Sequence, residues 1–276
     1  AKRAYQWIEQ QDPERPVDEN LIREIHARIV HEADDDHCTP GALRASGENV
    51  VFGSPQHRGA EGGEECQRVF TDLCQALREE FIRHDPLVQA LALHYHLAGI
   101  HPFADGNGRT ARAVEALMLR KAGLLGSLFI AMSNYYYDEK AGYLAALAEV
   151  RQRQHDLTPF LHFALAGVTA QCRRLAVEIT QHLRKALFRN VMFDLFGRLK
   201  TPKKRVIAER QLAILKQLLG EDLLWSQLAQ RMRPQYADLK EGLPALIRDL
   251  NGLLHLGAIR YERVGDDYRF FVRLEW

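Results

Sequence analysis

Residues 101 to 112 read HPFADGNGRTAR and combine a histidine, an acid, two glycines, an asparagine and two arginines. Gly106 and Gly108 flank Asn107, and glycine lets backbone amides approach an anion closely. The segment that follows has the apolar spacing of a helix, so the positive end of its dipole faces this bend. The pattern predicts a phosphate-binding bend that leads into a helix.

The other polar residues of the stretch suit chemistry on a phosphate ester. Arg109 and Arg112 offer planar, permanently charged donors for phosphate oxygens. Asp105 is a carboxylate among anion-binding groups, which is explained if it holds Mg²⁺ together with phosphates. His101 has the pKa range to accept a proton from an attacking hydroxyl, and Phe103 would plug into the core and aim both side chains. This set favours phosphoryl or nucleotidyl transfer to a hydroxyl, a reaction catalysed mainly by positioning and charge neutralisation.

Two other functions fit parts of the same region. Residues 106–111 satisfy G-x-G-x-x-A, a dinucleotide fingerprint, but that motif needs a preceding strand and LVQALALHYHLAGI has helical periodicity. His94, His96 and His101 could be metal ligands, but on a helix His96 points about 200° away from His94. We therefore expect His94 and His96 to lie in the core or to support the site.

The elements that must position this stretch are mainly helices. Apolar residues recur at intervals of three and four in PVDENLIREIHARIV, ECQRVFTDLCQALREEFI, DPLVQALALHYHLAGI, TARAVEALMLRKAG, YDEKAGYLAALAEVRQRQ and TPFLHFALAGVTAQCRRLAVEITQHLRKALF. Residues 39–63 interrupt this rhythm with Gly, Ser, Pro and Asn around the β-prone run NVVF. That segment predicts a small surface hairpin, or flap.

Beyond the basic connector KTPKKR the pattern changes. Three predicted helices, ERQLAILKQLLG, DLLWSQLAQRM and GLPALIRDLNGLLHLGAIR, precede RYERVGDDYRFFVRL, which alternates around a turn at Gly265 and predicts a β-hairpin. Three helices and a two-stranded wing describe a winged helix-turn-helix.

Charge also divides the chain. Residues 1–183 carry 19 Lys and Arg against 25 Asp and Glu, whereas residues 184–276 carry 18 against 11. A basic module raises DNA as a partner. Two features argue against DNA binding. Arg248 is the main basic residue on the recognition helix, and Asp266 and Asp267 at the wing tip would repel phosphate. Protein docking or dimerisation is the alternative role of such a module, so a homodimer is among the expected partners.

Composition excludes some classes of protein. The 276 residues contain no apolar run near the roughly 20 residues that a membrane span requires. The start AKRAYQWIEQQD is no signal peptide, so we expect a cytoplasmic protein without a membrane partner. The four cysteines form no C-x-x-C pair, which argues against a zinc knuckle and a redox dithiol.

The stretch at 101–112 resembles the signature of the Fic family, H-x-F-x-[DE]-G-N-G-R-x-x-R, at every specified position. PGALR at 40–44 is similar to the family's P-G-x-x-R segment, NVVFG to its target-positioning hairpin, and SNYYYDEKAGYLAAL to its tyrosine-rich segment. The resemblance covers most of residues 1–185. It implies a mainly α fold, a Fic-type helical bundle with a small β-hairpin flap, followed by a C-terminal winged helix-turn-helix domain.

The resemblance also implies an activity, transfer of AMP from Mg-ATP to a Ser, Thr or Tyr hydroxyl of a target protein with release of pyrophosphate. It implies that His101 is the general base and that Asp105 binds Mg²⁺. Arg109 would steady the phosphates and Arg112 would contact the γ-phosphate. The implied anion hole for the α- and β-phosphates consists of Gly106, Asn107 and Gly108.

Many members of this family carry an inhibitory helix, [ST]-x-x-x-E-[GN], but no Ser or Thr of this chain has Glu four residues later. We expect that segment to lie upstream of Ala1 or to have been removed, which would leave Arg112 available to ATP. We divide the chain into a Fic domain at 1–185, a helical, basic connector at 186–204 and a winged helix domain at 205–276. The alternative function is a DNA-binding or protein-docking regulator whose Fic site is inactive or differently specific.

Overall fold

The computed structural model describes residues 2–31, 38–123, 126–197 and 202–274. It separates into two compact units, Ala1–Leu175 and Ala176–Trp276. Helices predominate in both units, which confirms the predicted mainly α fold class. Among the residues described, no helix combines the length and apolar character that crossing a bilayer requires.

The helices of the first unit follow most of the predicted stretches. They are α1 (Lys2–Glu9), α2 (Glu19–Val30), α3 (Glu64–Glu79), α4 (Pro86–Ile100), α5 (Asn107–Lys121), α6 (Gly126–Asp138), α7 (Lys140–Gln152) and α8 (Thr158–Gly197), and the division between the units falls inside α8.

One predicted helix, residues 137–154, is instead shared between α6 and α7. Glu139 has non-helical dihedral angles (φ −96°, ψ 34°) and separates the two helices. The break lets the rings of Tyr136 and Tyr143 pack with centroids 5.2 Å apart. Seven residues along one straight helix would separate them by about 10 Å along the axis, so the prediction of a single helix was wrong.

Helix α4 lies at the centre of the first unit and buries side chains on opposite faces. Leu93 and Leu97 belong to a cluster that includes residues of α1, α2, α3 and α5. Leu91 and Tyr95 belong to a second cluster with residues of α6, α7 and α8. Burial on both faces explains why this helix is apolar all round. Its C-terminal end, where residue 101 begins the polar stretch, is therefore held by two cores.

A short hairpin forms the predicted flap within residues 39–63. Strands β1 (Val51–Phe52) and β2 (His57–Arg58) pair in antiparallel fashion, with Phe52 opposite His57. The prediction of a small surface hairpin is confirmed.

The second unit combines helices with a small sheet. After its part of α8, its α-helices and strands are α9 (Pro202–Gly220), β3 (Leu223–Leu224), α10 (Trp225–Met232), α11 (Gly242–His255), β4 (Ile259–Val264) and β5 (Asp267–Val272). The strands form an antiparallel sheet in the order β3-β5-β4. Ile259 pairs with Val272 at one end of the hairpin and Val264 with Asp267 at the other, which confirms the hairpin predicted around Gly265.

Two helices predicted here were too long. The stretch DLLWSQLAQRM begins with β3, because Leu223 is buried when it pairs with β5. The stretch GLPALIRDLNGLLHLGAIR stops being helical at His255. Gly257 adopts a left-handed φ of 70°, and the Ala258 amide donates to the Leu253 carbonyl at 3.0 Å, a glycine cap that ends α11.

A buried ion pair connects α9 with α11. Asp249 is 4% exposed and accepts hydrogen bonds from Nε of Arg210 (2.7 Å) and from the Tyr236 hydroxyl (2.8 Å). Burial, and then the bond to Asp249, raise the pKa of Tyr236. The carboxylate thus has two donors in an interior that would otherwise penalise its charge.

We expect Asp249→Ala to lower the free energy of unfolding of the second unit by about 3–5 kcal/mol, because it leaves Arg210 without its carboxylate. Asp222→Ala removes an exposed carboxylate and should change that free energy by less than about 0.5 kcal/mol. Urea unfolding followed by circular dichroism measures both. Equal effects of the two substitutions would contradict the assignment.

Candidate functional site

The polar stretch forms a bend between α4 and α5, and two left-handed residues shape it. His101 ends α4 with φ 52° and ψ 59°, and Gly106 precedes α5 with φ 74° and ψ 1°. A Cβ atom at Gly106 would lie 2.6 Å from Cγ1 of Val30, which is closer than side-chain contacts allow. Gly106 is therefore required both for its backbone conformation and for the approach of α2.

Asn107 and Phe103 hold the bend in shape. The Asn107 side chain accepts from the Phe103 amide (2.9 Å) and donates to the Phe103 carbonyl (2.7 Å). Phe103 is buried, as predicted, and its ring stacks on His26 of α2 with centroids 3.7 Å apart. Because the Asn107 side chain is used within the bend, what it presents to a ligand is its backbone amide.

The imidazole of His101 has one nitrogen engaged and one available. Its Nδ1 lies 2.7 Å from the Ala98 carbonyl, which can only accept, so Nδ1 carries the proton and Nε2 has a lone pair. The ring stacks on Phe52 of β1, with centroids 3.5 Å apart. Burial and, to a lesser extent, the charge of Arg44 lower the pKa of His101 to about 4, against the opposing effect of the Ala98 carbonyl. At neutral pH this imidazole is a proton acceptor.

The first turn of α5 is suited to an anion. Gly106 provides no side-chain cap, and the first N–H groups of a helix have no intrahelical acceptor. The amides of Asn107 and Gly108 are thus the groups that a phosphate would meet. The guanidinium of Arg112 reaches back to the same turn, since a methyl group on Gly108 would lie 3.5 Å from its Nη1. Arg109 lies 3.8 Å from Asp105 across the bend.

Asp105 is the carboxylate of this bend. Its side chain is 47% exposed, and one oxygen accepts the Gly106 amide. A half-exposed carboxylate beside anion-binding amides fits a hard cation that shares phosphate and water oxygens. Within the described ranges no cluster of three or more His, Cys, Asp or Glu could hold a metal by itself.

His26 was missed by the sequence analysis and supports the bend from α2. Its Nδ1 accepts the Gly41 amide (2.9 Å) and its Nε2 faces the Asp105 carbonyl (3.0 Å), so Nε2 carries the proton. The side chain is fully buried, and burial lowers its pKa to about 4. The only signal in the sequence was a histidine on the apolar face formed by Ile22, Ile25 and Ile29 of α2.

Arg44 was also missed as a site residue, although it lies in the PGALR segment. Its guanidinium donates to the carbonyls of His101 (2.7 Å), Glu48 (2.7 Å) and Ala60 (2.5 Å), and lies 3.4 Å from that of Ile100. The residue is only 2% exposed. One buried cation therefore connects the end of α4 with the segments on both sides of the flap.

The alternative functions of this region lack support in the geometry. The element before the bend is helix α4, so the dinucleotide fingerprint lacks its strand. His94 is fully buried, and its Nδ1 contacts a carboxylate oxygen of Glu115, which also accepts the Tyr136 hydroxyl (3.0 Å). His94 Nε2 lies 3.0 Å from the Tyr143 hydroxyl. This confirms that His94 is a core histidine. Its partner Glu115, an acid inside an apolar run, was missed by the sequence analysis.

Comparison with known proteins agrees with the resemblance. Residues 16–119, which include the bend, match the model of the Fic/DOC family. The chain is 28% identical over 154 residues to protein adenylyltransferase fic-1 of Caenorhabditis elegans, covering 55% of this chain and 27% of that one. It is 36% identical over 107 residues to protein adenylyltransferase Fic of Aedes aegypti, covering 38% and 19%. Residues 16–119 are therefore similar to Fic/DOC family domains, and the chain spans under a third of these relatives.

A solved structure extends the comparison to the whole chain. A Fic family protein from Desulfovibrio desulfuricans G20 superposes with a TM-score of 0.54 at 22% identity, covering 99% of this chain and 73% of that one. This shows similarity of fold.

We expect Arg44→Met to lower the free energy of unfolding by about 3 kcal/mol, because it leaves buried carbonyls without a donor. Arg68→Met, which removes an exposed arginine that pairs with Asp72, should change it by less than about 0.5 kcal/mol. Thermal and urea unfolding measure both. A small effect of Arg44→Met would mean that water replaces the guanidinium easily.

His26 should make stability depend on pH. Between its ordinary pKa and about 4 the unfolded chain binds a proton that the folded chain excludes, so the free energy of unfolding falls as pH falls through this window. The contribution is up to about 3 kcal/mol. A glutamine side chain offers an acceptor and a donor without titrating, so His26→Gln should flatten the slope by up to one proton. Urea unfolding between pH 7.5 and 4.5, with a chelator present, tests this, and an unchanged slope would be contrary evidence.

Proposed function

We propose that this chain is a protein adenylyltransferase that transfers AMP from ATP to a Ser, Thr or Tyr hydroxyl of a target protein. The observation that carries the proposal is the lone pair on Nε2 of His101, at one end of a bend that leads into a helix start without a side-chain cap. The names of the relatives support the same activity.

In this proposal the hydroxyl gives its proton to Nε2 of His101 as its oxygen forms a bond to the α-phosphorus. The bond from that phosphorus to the bridging oxygen breaks, and pyrophosphate leaves. The amides of Gly106, Asn107 and Gly108 hold the α- and β-phosphates. Arg109 neutralises them, and Arg112 contacts the γ-phosphate. His101 does not need to be a strong base, because positioning supplies most of the acceleration in phosphoryl transfer.

Asp105 would hold Mg²⁺ in this scheme. A bound Mg²⁺ neutralises charge that builds up on the phosphates. The half-exposed carboxylate, the anchored main chain of the bend and the adjacent anion-binding amides support this role.

For the second unit we propose a winged helix-turn-helix, in which α11 is the recognition helix and β4 and β5 form the wing. The element order and the β3-β5-β4 sheet support it. On α11, Leu243 is 57% exposed and Ile247 43% exposed. Exposed apolar side chains favour a protein partner over a phosphate backbone. We keep the domain bounds of 1–185, 186–204 and 205–276 as part of this proposal.

The activity is tested by incubating the chain with ATP labelled at the α-phosphate, Mg²⁺ and a cell lysate. We expect protein to become labelled. His101→Ala should lower the rate of labelling by at least about a hundredfold, because that substitution removes the general base. His182→Ala, which removes an exposed histidine of α8, should leave labelling unchanged. Equal labelling by the two variants would refute the role of His101.

A further inference from the structure

A cavity with a volume of about 300 Å³ lies in the first unit beside the end of α4. It is lined by β2 and the two residues after it, by α3, by α4, by the end of α7 and by the turn that follows α7. Its polar lining side chains are His57, Arg58, Tyr95, His96, Arg151 and His155. None of these groups is used in the proposed transfer of AMP.

The lining of this cavity is electropositive. Its lining residues include two arginines and three histidines, and no carboxylate is among those described. One nitrogen of Arg151 donates to the Leu147 carbonyl at 3.1 Å, which leaves its other guanidinium donors for an anion. Arg58 has its nearest acid, Glu61, at 3.9 Å, and both are exposed. Burial lowers the pKa of His57, and Arg151 and His155 lower it further against the Gly99 carbonyl. A concave surface with this field attracts an anion.

The cavity shares a wall with the proposed general base. Gly59, in its lining, approaches α4 so closely that a Cβ atom there would lie 2.8 Å from the Ile100 carbonyl and 3.0 Å from Cβ of His101. His57 is the register partner of Phe52, whose ring stacks on His101. A polypeptide that brings a hydroxyl to His101 therefore passes within a few residues of the cavity.

The flap gives such a polypeptide a place to lie. Its two strands pair only with each other among the described residues, so each presents an unpaired edge. An extended segment can add to such an edge through main-chain hydrogen bonds, and alternate side chains then point to opposite sides.

We propose that this cavity binds a carboxylate side chain of the target protein, next to the hydroxyl that is modified. Arginine donates two parallel hydrogen bonds to a carboxylate, and the imidazoles add further donors. The inference rests on the proposed function, because it names the class of target segment, an acidic one, that the enzyme would accept.

Binding can be tested directly on the full chain. The imidazole resonances of His57 and His155 would be followed by NMR during titration with the blocked peptide acetyl-Glu-Thr-Glu-amide. The matched peptide acetyl-Gln-Thr-Gln-amide and inorganic phosphate serve as comparisons. We expect saturable shifts with the Glu peptide and none with the Gln peptide.

Substitutions then locate the site. Arg151→Gln and Arg58→Gln should each lower the affinity for the Glu peptide by about tenfold. Arg153→Gln makes the same charge change two residues from Arg151, but Arg153 pairs with Glu149 and lies outside the lining, so affinity should not change. Equal losses with Arg151→Gln and Arg153→Gln would overturn the proposal, as would an absence of shifts at about 10 mM Glu peptide.

Two further comparisons distinguish a site for target carboxylates from a site for free anions, and test the site separately from the proposed transfer of AMP. Shifts with phosphate but not with the Glu peptide would indicate a free-anion site and overturn the assignment to target carboxylates. Binding of the Glu peptide is measured without ATP, because binding requires no transfer of AMP. If labelling with ATP fails while the Glu peptide still binds this cavity, the proposed activity is wrong and the carboxylate site remains.

Discussion

The geometry of the bend depends on a buried guanidinium. Arg44 donates to carbonyls at His101, Glu48 and Ala60, so it joins the residue that follows α4 to both sides of the flap. A lysine has one ammonium group, whereas the planar guanidinium directs donors to several acceptors at once. Since the flap supplies the Phe52 ring that stacks on His101, the same cation determines where the imidazole lies.

A second support holds the bend from the opposite side. His26 accepts from Gly41 and faces the Asp105 carbonyl, while its ring stacks on Phe103. Arg44 thus fixes the start of the bend at residue 101, and His26 fixes it near residue 105. Side chains that act on a ligand are precise only when other groups immobilise their backbone. The exposed carboxylate and the lone pair of His101 are positioned in this way by residues that meet no ligand.

The sequence predicted the parts of this structure that depend on local pattern. Apolar spacing located most helices, the β-prone run NVVF located the flap, and the residue types at 101–112 indicated the bend. Pattern could not show that His26 meets Asp105, because 79 residues separate them, or that Arg44 meets His101, 57 residues away. It also overextended two helices of the second unit, because strand pairing of Leu223 and a cap at Gly257 are set by tertiary contacts.

Burial of His101 has two opposing consequences for a general base. A pKa of about 4 keeps the ring neutral at physiological pH, so the acceptor form is always present. The same low pKa makes the ring a weak base toward a hydroxyl. A weak base is sufficient if the proton moves only as the hydroxyl oxygen begins to bond to phosphorus, because the hydroxyl group is then more acidic. In the proposed enzyme the imidazole then serves mainly to orient the hydroxyl, and the amides, arginines and Asp105 around the phosphates account for most of the rate.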